Sequence, residues 1–128
     1  MNWVPRFLIC LLLSTPFTST AADYFWIGGS GAWSDISHWA TTSGGAITHS
    51  QAPTADDDVY FDGNSFTAPG QTVTMNTDII FCRRMSWVAA TNNPTFVGGA
   101  NVTLNVFGSL DMIANMTFDF SGEVVFTG

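Results

Sequence analysis

The sequence predicts an all-β domain, and three observations carry that reading. Short segments rich in Val, Ile, Thr and Phe recur between Gly, Asn, Asp and Pro. After residue 22 no window places apolar residues at helical spacing, and Glu123 is the only glutamate. Hydrophobic residues make up 46% and charged residues 10% of 128 residues, a balance that fits one small core. Strands this short, joined by tight turns, suit a sandwich, a barrel or a coiled solenoid.

Residues 1–22 read as a secretory signal peptide. Arg6 gives the first residues a positive charge, Phe7 to Leu13 is an unbroken apolar run, and "STPFTSTAA" supplies small residues for cleavage. Thr20 and Ala22 suit the third and first positions before a cut after Ala22, with a cut after Ala21 as the nearby alternative. The apolar run is far shorter than the roughly 20 residues that span a bilayer, so no transmembrane segment is expected once the leader is removed. Cys10 leaves with the leader, and Cys82 in "DIIFC" is then the only thiol, expected to be a small buried hydrophobe.

Residues 23–58 form a loop-rich segment in which Gly and Ser permit sharp turns and aromatic rings supply the burial. Residues 59–128 hold most of the strands. From the start of this region the strand-like runs are DVYFD (58–62), QTVTM (71–75), DIIFC (78–82), MSWVA (85–89), PTFVG (94–98), NVTLNVFG (101–108), NMTFDF (115–120) and EVVFTG (123–128). Alternation puts Val102, Leu104 and Val106 on one face, and Met116, Phe118 and Phe120 on another. The endings "IFC", "VFG" and "VFTG" recur at intervals of about 20 residues and more, a spacing compatible with stacked coils. The final strand has no polar cap after it, so the chain is expected to continue into further coils.

The segment "YFWIGGSGAWSDISHWATTSGG" followed by "APTADDDVYFD" resembles the opening of large secreted β-helix surface proteins. Its features are a Trp-x-Gly-Gly-x-Gly-x-Trp-Ser-Asp stretch, a further Trp, then Pro, an acidic turn and a strand. It is similar above all to the giant cell-surface proteins of gliding bacteria that leave by the type IX secretion pathway, and more loosely to autotransporter passenger domains. The resemblance implies a right-handed parallel β-helix that starts from an aromatic cap; a β-sandwich is the alternative fold that the short strands leave open. It also implies an adhesin-like role at the cell surface.

Trp26, Trp33 and Trp39, spaced by seven and six residues, fit neither one helix face nor one strand face, so they are expected to converge from separate segments. Two roles stay open for them: a plug over the first coil with each N–H bonded to a loop carbonyl, or a surface on which sugars stack. Asp56, Asp57 and Asp58, with Asp62 nearby, are oxygen-rich enough to raise calcium binding, but their spacing fits neither an EF-hand loop nor a Gly-Asp nonapeptide. A turn whose carboxylates accept backbone N–H groups is the expected role. His38 and His49 lack the neighbours of a metal set, and no G-x-S-x-G stretch is present. Arg83 and Arg84 are expected in a solvated turn.

With three basic and ten acidic residues the formal charge is −7, which excludes the clustered cations that phosphate backbones require. Nucleic acid is therefore not an expected partner; cell-surface glycans or surface proteins are. The reading that follows is a noncatalytic secreted or cell-surface structural or adhesive module with no cofactor. A glycan-binding or polysaccharide lyase-like protein is the alternative.

Overall fold

Twelve short strands build three sheets in the computed structural model, which describes residues 20–127. The signal-peptide region lies almost wholly outside those residues. In chain order the strands are β1 (Asp23–Trp26), β2 (Gly31–Ala32), β3 (Trp39–Ala40), β4 (Asp58–Tyr60), β5 (Thr72–Met75) and β6 (Ile79–Cys82). They continue as β7 (Arg84–Ser86), β8 (Thr95–Gly98), β9 (Thr103–Val106), β10 (Leu110–Asp111), β11 (Thr117–Phe120) and β12 (Glu123–Phe126). A single 3-10 turn, Ile36–His38, is the only helical element among the described residues.

The first sheet has the order β10-β7-β4-β1-β3, the second β11-β8-β5-β2 and the third β12-β9-β6. From β4 onward the chain visits the first, second and third sheets in that order three times over. Register fixes the step between passes. Asp58 lies opposite Arg84 and Met85 opposite Leu110, while Ile79 lies opposite Thr103 and Thr103 opposite Glu123. All strand pairs run parallel except β1 with β3, and all eight strand-like runs read from residue 58 onward overlap a strand, although β7 covers only the first two residues of MSWVA.

Parallel stacking places like positions of successive passes above one another, so each inward position becomes a ladder. Tyr24, Val59, Met85 and Leu110 stack in the first sheet, Val73, Phe96 and Phe118 in the second, and Ile80, Leu104 and Val124 in the third. The alternation seen in the sequence is the alternation of these ladders: Val102, Leu104 and Val106 are all buried. Gly98 is required where the second sheet meets Phe120, because a Cβ there would lie 2.3 Å from the Phe120 ring. At the last pass the inward positions open to solvent, with Phe118 37% exposed above a fully buried Phe96.

Two features differ from the sequence reading. The aromatic segment is not merely a lid, because β1 and β2 are the first strands of two sheets, paired parallel with β4 and β5. Arg83 is the exposed bend between β6 and β7, as the sequence suggests, but the two arginines are not simply solvated. Arg84 begins β7, and both guanidinium groups are paired with carboxylates from other passes, as described below. Strands β1, β2, β3 and β10 escape sequence detection because two-residue and Trp-rich strands carry too few alternating positions to register.

Candidate functional site

The aromatic end of the stack is the most elaborated part of the molecule. After β2, Asp35 caps the 3-10 turn by accepting the Ser37 N–H at 3.0 Å, and the turn sends the chain back as β3, antiparallel to β1. The same bond and the Ser37 hydroxyl at 2.7 Å hold the Asp35 carboxyl below its ordinary value, the hydroxyl acting most strongly. Strand β3 therefore covers the open edge of β1, and Thr48 bridges onto Ala40 beyond it.

This reversal brings the three tryptophans together. Trp26 and Trp39 are fully buried and Trp33 is 2% exposed. Trp39 stands edge-on to both others, with ring centroids 4.9 Å from Trp26 and 4.8 Å from Trp33, and it also meets Tyr24 and Phe61. Each such edge-to-face pair is worth about 0.5–1.5 kcal/mol beyond area burial. Two of the three polar edges are satisfied inside: Trp26 Nε1 donates to the Gly29 carbonyl and Trp39 Nε1 to the Trp33 carbonyl, each at 2.7 Å. A sugar platform needs a ring face open to solvent, and at these exposures none of the three rings offers one.

The glycines of "WIGGSG" have a specific cause. His38 stacks on Trp26 with centroids 4.6 Å apart and planes 7° from parallel, and its Nδ1 lies 2.6 Å from the Ile27 carbonyl. A carbonyl only accepts, so Nδ1 carries the proton. A Cβ at Gly31 would fall 2.1 Å from His38 Nε2, and Gly28, at φ +86°, would place one 2.9 Å from Nδ1. The histidine ring therefore occupies the space that two missing side chains leave. His49 is used in the same way, stacked on Tyr24 at 3.6 Å and donating from Nε2 to the Asp23 carbonyl at 2.9 Å.

Below the aromatics lies a charged seam. Asp58 is 7% exposed and receives Arg83 in a two-pronged bridge, Nε to Oδ1 at 2.8 Å and Nη2 to Oδ2 at 2.6 Å. This hydrogen-bonded carboxylate raises the Arg83 pKa further above its ordinary value. Arg84 lies 3.5 Å from Asp111 at the surface. Asp57, 4% exposed, turns inward: Oδ2 accepts the Thr54 N–H at 2.8 Å and its hydroxyl at 2.9 Å, and Oδ1 accepts the Ala22 N–H at 3.0 Å. Asp56 uses its own N–H toward Thr54 Oγ1, and Asp62 organises the next turn by accepting the Asn64 N–H at 2.9 Å. The acidic run thus splits into an exposed Asp56, a backbone-bonded Asp57 and an arginine-paired Asp58. No group of three His, Cys, Asp or Glu side chains gathers as a metal set among the described residues.

The chain matches no protein-family model, no curated protein and no solved structure. What the site can do must be read from its own groups. Burial, with a smaller push from Asp58, raises the Cys82 thiol to about 12, so it stays protonated and is a poor nucleophile at neutral pH. Both histidines are committed as ring stacks and backbone donors, and both arginines of the described region face carboxylates.

Sequence reasoning missed the Arg83–Asp58 bridge and the fourth buried indole. Trp87 packs face to face on Phe61 at 3.7 Å, and its Nε1 has no hydrogen-bond partner among the described residues. Spacing alone carried no signal for the bridge. Asp58 and Arg83 are 25 residues apart, and only the register that sets Asp58 opposite Arg84 turns that interval into contact.

Proposed function

We propose that this chain is a noncatalytic structural or adhesive module of a secreted or cell-surface protein, built as a right-handed parallel β-helix behind an aromatic N-terminal cap. One observation carries the reading: at the first end of the three-sheet stack an antiparallel strand covers the edge of the first sheet, over a cluster of buried tryptophans in which Trp26 and Trp39 donate their N–H groups to loop carbonyls. Sealing an end costs sequence and serves to stop strand edges from pairing with other chains. A right-handed path follows the general hand of parallel β connections. The likeness of residues 24–62 to the opening segment of type IX-secreted surface proteins supports the surface role. The outward faces of the sheets, not the indoles, are then the surfaces available to glycans or surface proteins.

The test is to export the full chain from a bacterial host, locate it by fractionation, and assay the product against a glycan array and a polysaccharide panel. Recovery outside the cytoplasm, without formation of reducing ends or unsaturated sugars, is the expected result. Polysaccharide turnover would overturn the noncatalytic reading, and retention of an uncut chain in the cytoplasm would overturn the exported one.

A further inference from the structure

Asp57 presents an electrostatic problem. Its carboxylate is 4% exposed, yet its three donors, the Thr54 N–H, the Thr54 hydroxyl and the Ala22 N–H, are all neutral. Among the described residues no cation pairs with it, since Arg83 is bound to Asp58 and Arg84 to Asp111. A buried ionised carboxylate is ordinarily matched by a positive charge.

Ala22 is where that charge can arise. It is held from two directions: its N–H reaches Asp57 Oδ1 at 3.0 Å, and its carbonyl accepts the Asp58 N–H at 3.0 Å, extending the β1–β4 pairing by one residue. Its side chain packs against the core. The small-residue rule for leader cleavage does not choose between the two cuts, because Ser19 and Ala21 satisfy it as well as Thr20 and Ala22 do. The hydrogen bonds do choose. A cut after Ala22 would discard both bonds and leave Asp57 Oδ1 without its donor, whereas a cut after Ala21 keeps both.

We propose that the leader is removed between Ala21 and Ala22, and that the α-ammonium created at Ala22 is the missing cationic partner of Asp57. The proposal rests on the signal-peptide reading. Hydrolysis by a leader peptidase of the export pathway consumes one water: the Ala21 carbonyl carbon becomes a carboxylate and leaves with the leader. The Ala22 nitrogen becomes a primary amine. An α-amino group with an ordinary pKa of about 7.7–8.0 takes up a proton at neutral pH, so the neutral N–H···O⁻ bond becomes an ammonium–carboxylate pair in the same position. Processing and completion of the fold are then one event, since the uncut chain has an amide where the mature chain has a charge.

The test uses the full chain with its own leader, exported by a host with a general secretory pathway, and reads the N-terminus of the recovered protein by sequencing and intact mass. A start at Ala22 is expected. A start at Asp23 or any other position overturns the proposal but leaves the leader reading standing, and an uncut chain overturns both. In a second arm, deletion of Ala22 and Asp57→Asn are introduced singly and together, and the exported products are melted. Deletion is expected to lower the melting temperature by several degrees with Asp57 present, and by clearly less in the Asp57→Asn chain. Equal losses in the two backgrounds would overturn the ammonium–carboxylate pair even if the cut falls after Ala21.

Discussion

Removing the Trp39 side chain tests the account of the aromatic end most directly. Trp39 is fully buried, touches Tyr24, Trp26, Trp33 and Phe61, and donates its N–H to the Trp33 carbonyl. Truncation of a buried aromatic to Ala costs about 3–5 kcal/mol through lost transfer energy and the cavity left behind. Leaving the Trp33 carbonyl without its donor adds about 1 kcal/mol, partly overlapping the first figure. Against a total stability of about 5–15 kcal/mol for a small domain, Trp39→Ala should therefore remove roughly a fifth or more. Trp39→Phe keeps most of the ring burial but strands the same carbonyl, so its loss should be nearer 1–2 kcal/mol. Urea titrations followed by far-ultraviolet circular dichroism give both values from the shift in midpoint at constant slope. A loss below about 1 kcal/mol for Trp39→Ala would show that the ring is not part of a packed end, and the reasoning about the cap would fall.

Other consequences can be checked in the same way. Gly31→Ala should destabilise by about 1–3 kcal/mol because its methyl meets the His38 ring, and the penalty should shrink in a His38→Ala background; an unchanged penalty would place the clash elsewhere. Arg83→Ala leaves the buried Asp58 carboxylate unpaired. Since Arg83 is half exposed, the expected drop in denaturation midpoint is smaller than for a fully buried pair, and an unaltered midpoint would refute the bridge. The Cys82 thiol, raised from 9.0 to about 12, favours the fold fully below its unfolded value, and that contribution is lost as pH rises from about 9 toward 12. Cys82→Ser or Cys82→Ala should thus flatten the alkaline limb of the stability profile, and the native thiol should resist disulfide reagents at pH 8 until urea is added. The Asp35 carboxyl, held low by Ser37, stabilises above its unfolded value of 3.8 and loses that effect as pH falls through its lower folded value, so Asp35→Asn should blunt the acid limb.

What the sequence by itself determined is everything that depends on short-range pattern. Most strands of residues 58–126 were legible because β-branched and aromatic residues alternate between turn-forming Asn, Asp and Gly, and the face assigned to Val102, Leu104 and Val106 is the buried face. The convergence of three tryptophans from separate segments was legible too, because their spacing excluded a single helix or strand face. Only the tertiary structure decided which residues meet across passes. The step between neighbouring strands varies with each loop, from Thr103 opposite Glu123 to Gly31 opposite Val73, so no fixed interval in the sequence announces a contact. That is why the exposed Arg83 and Arg84 could be read as a turn while their carboxylate partners on other passes could not, and why Asp57 and Asp58, neighbours in the chain, face different partners. The same limit applied to "WIGGSG": its glycines signal tight turns, but that two of them make room for His38 is a consequence of the reversal through Ile36–His38, and it exists only once β3 lies against β1.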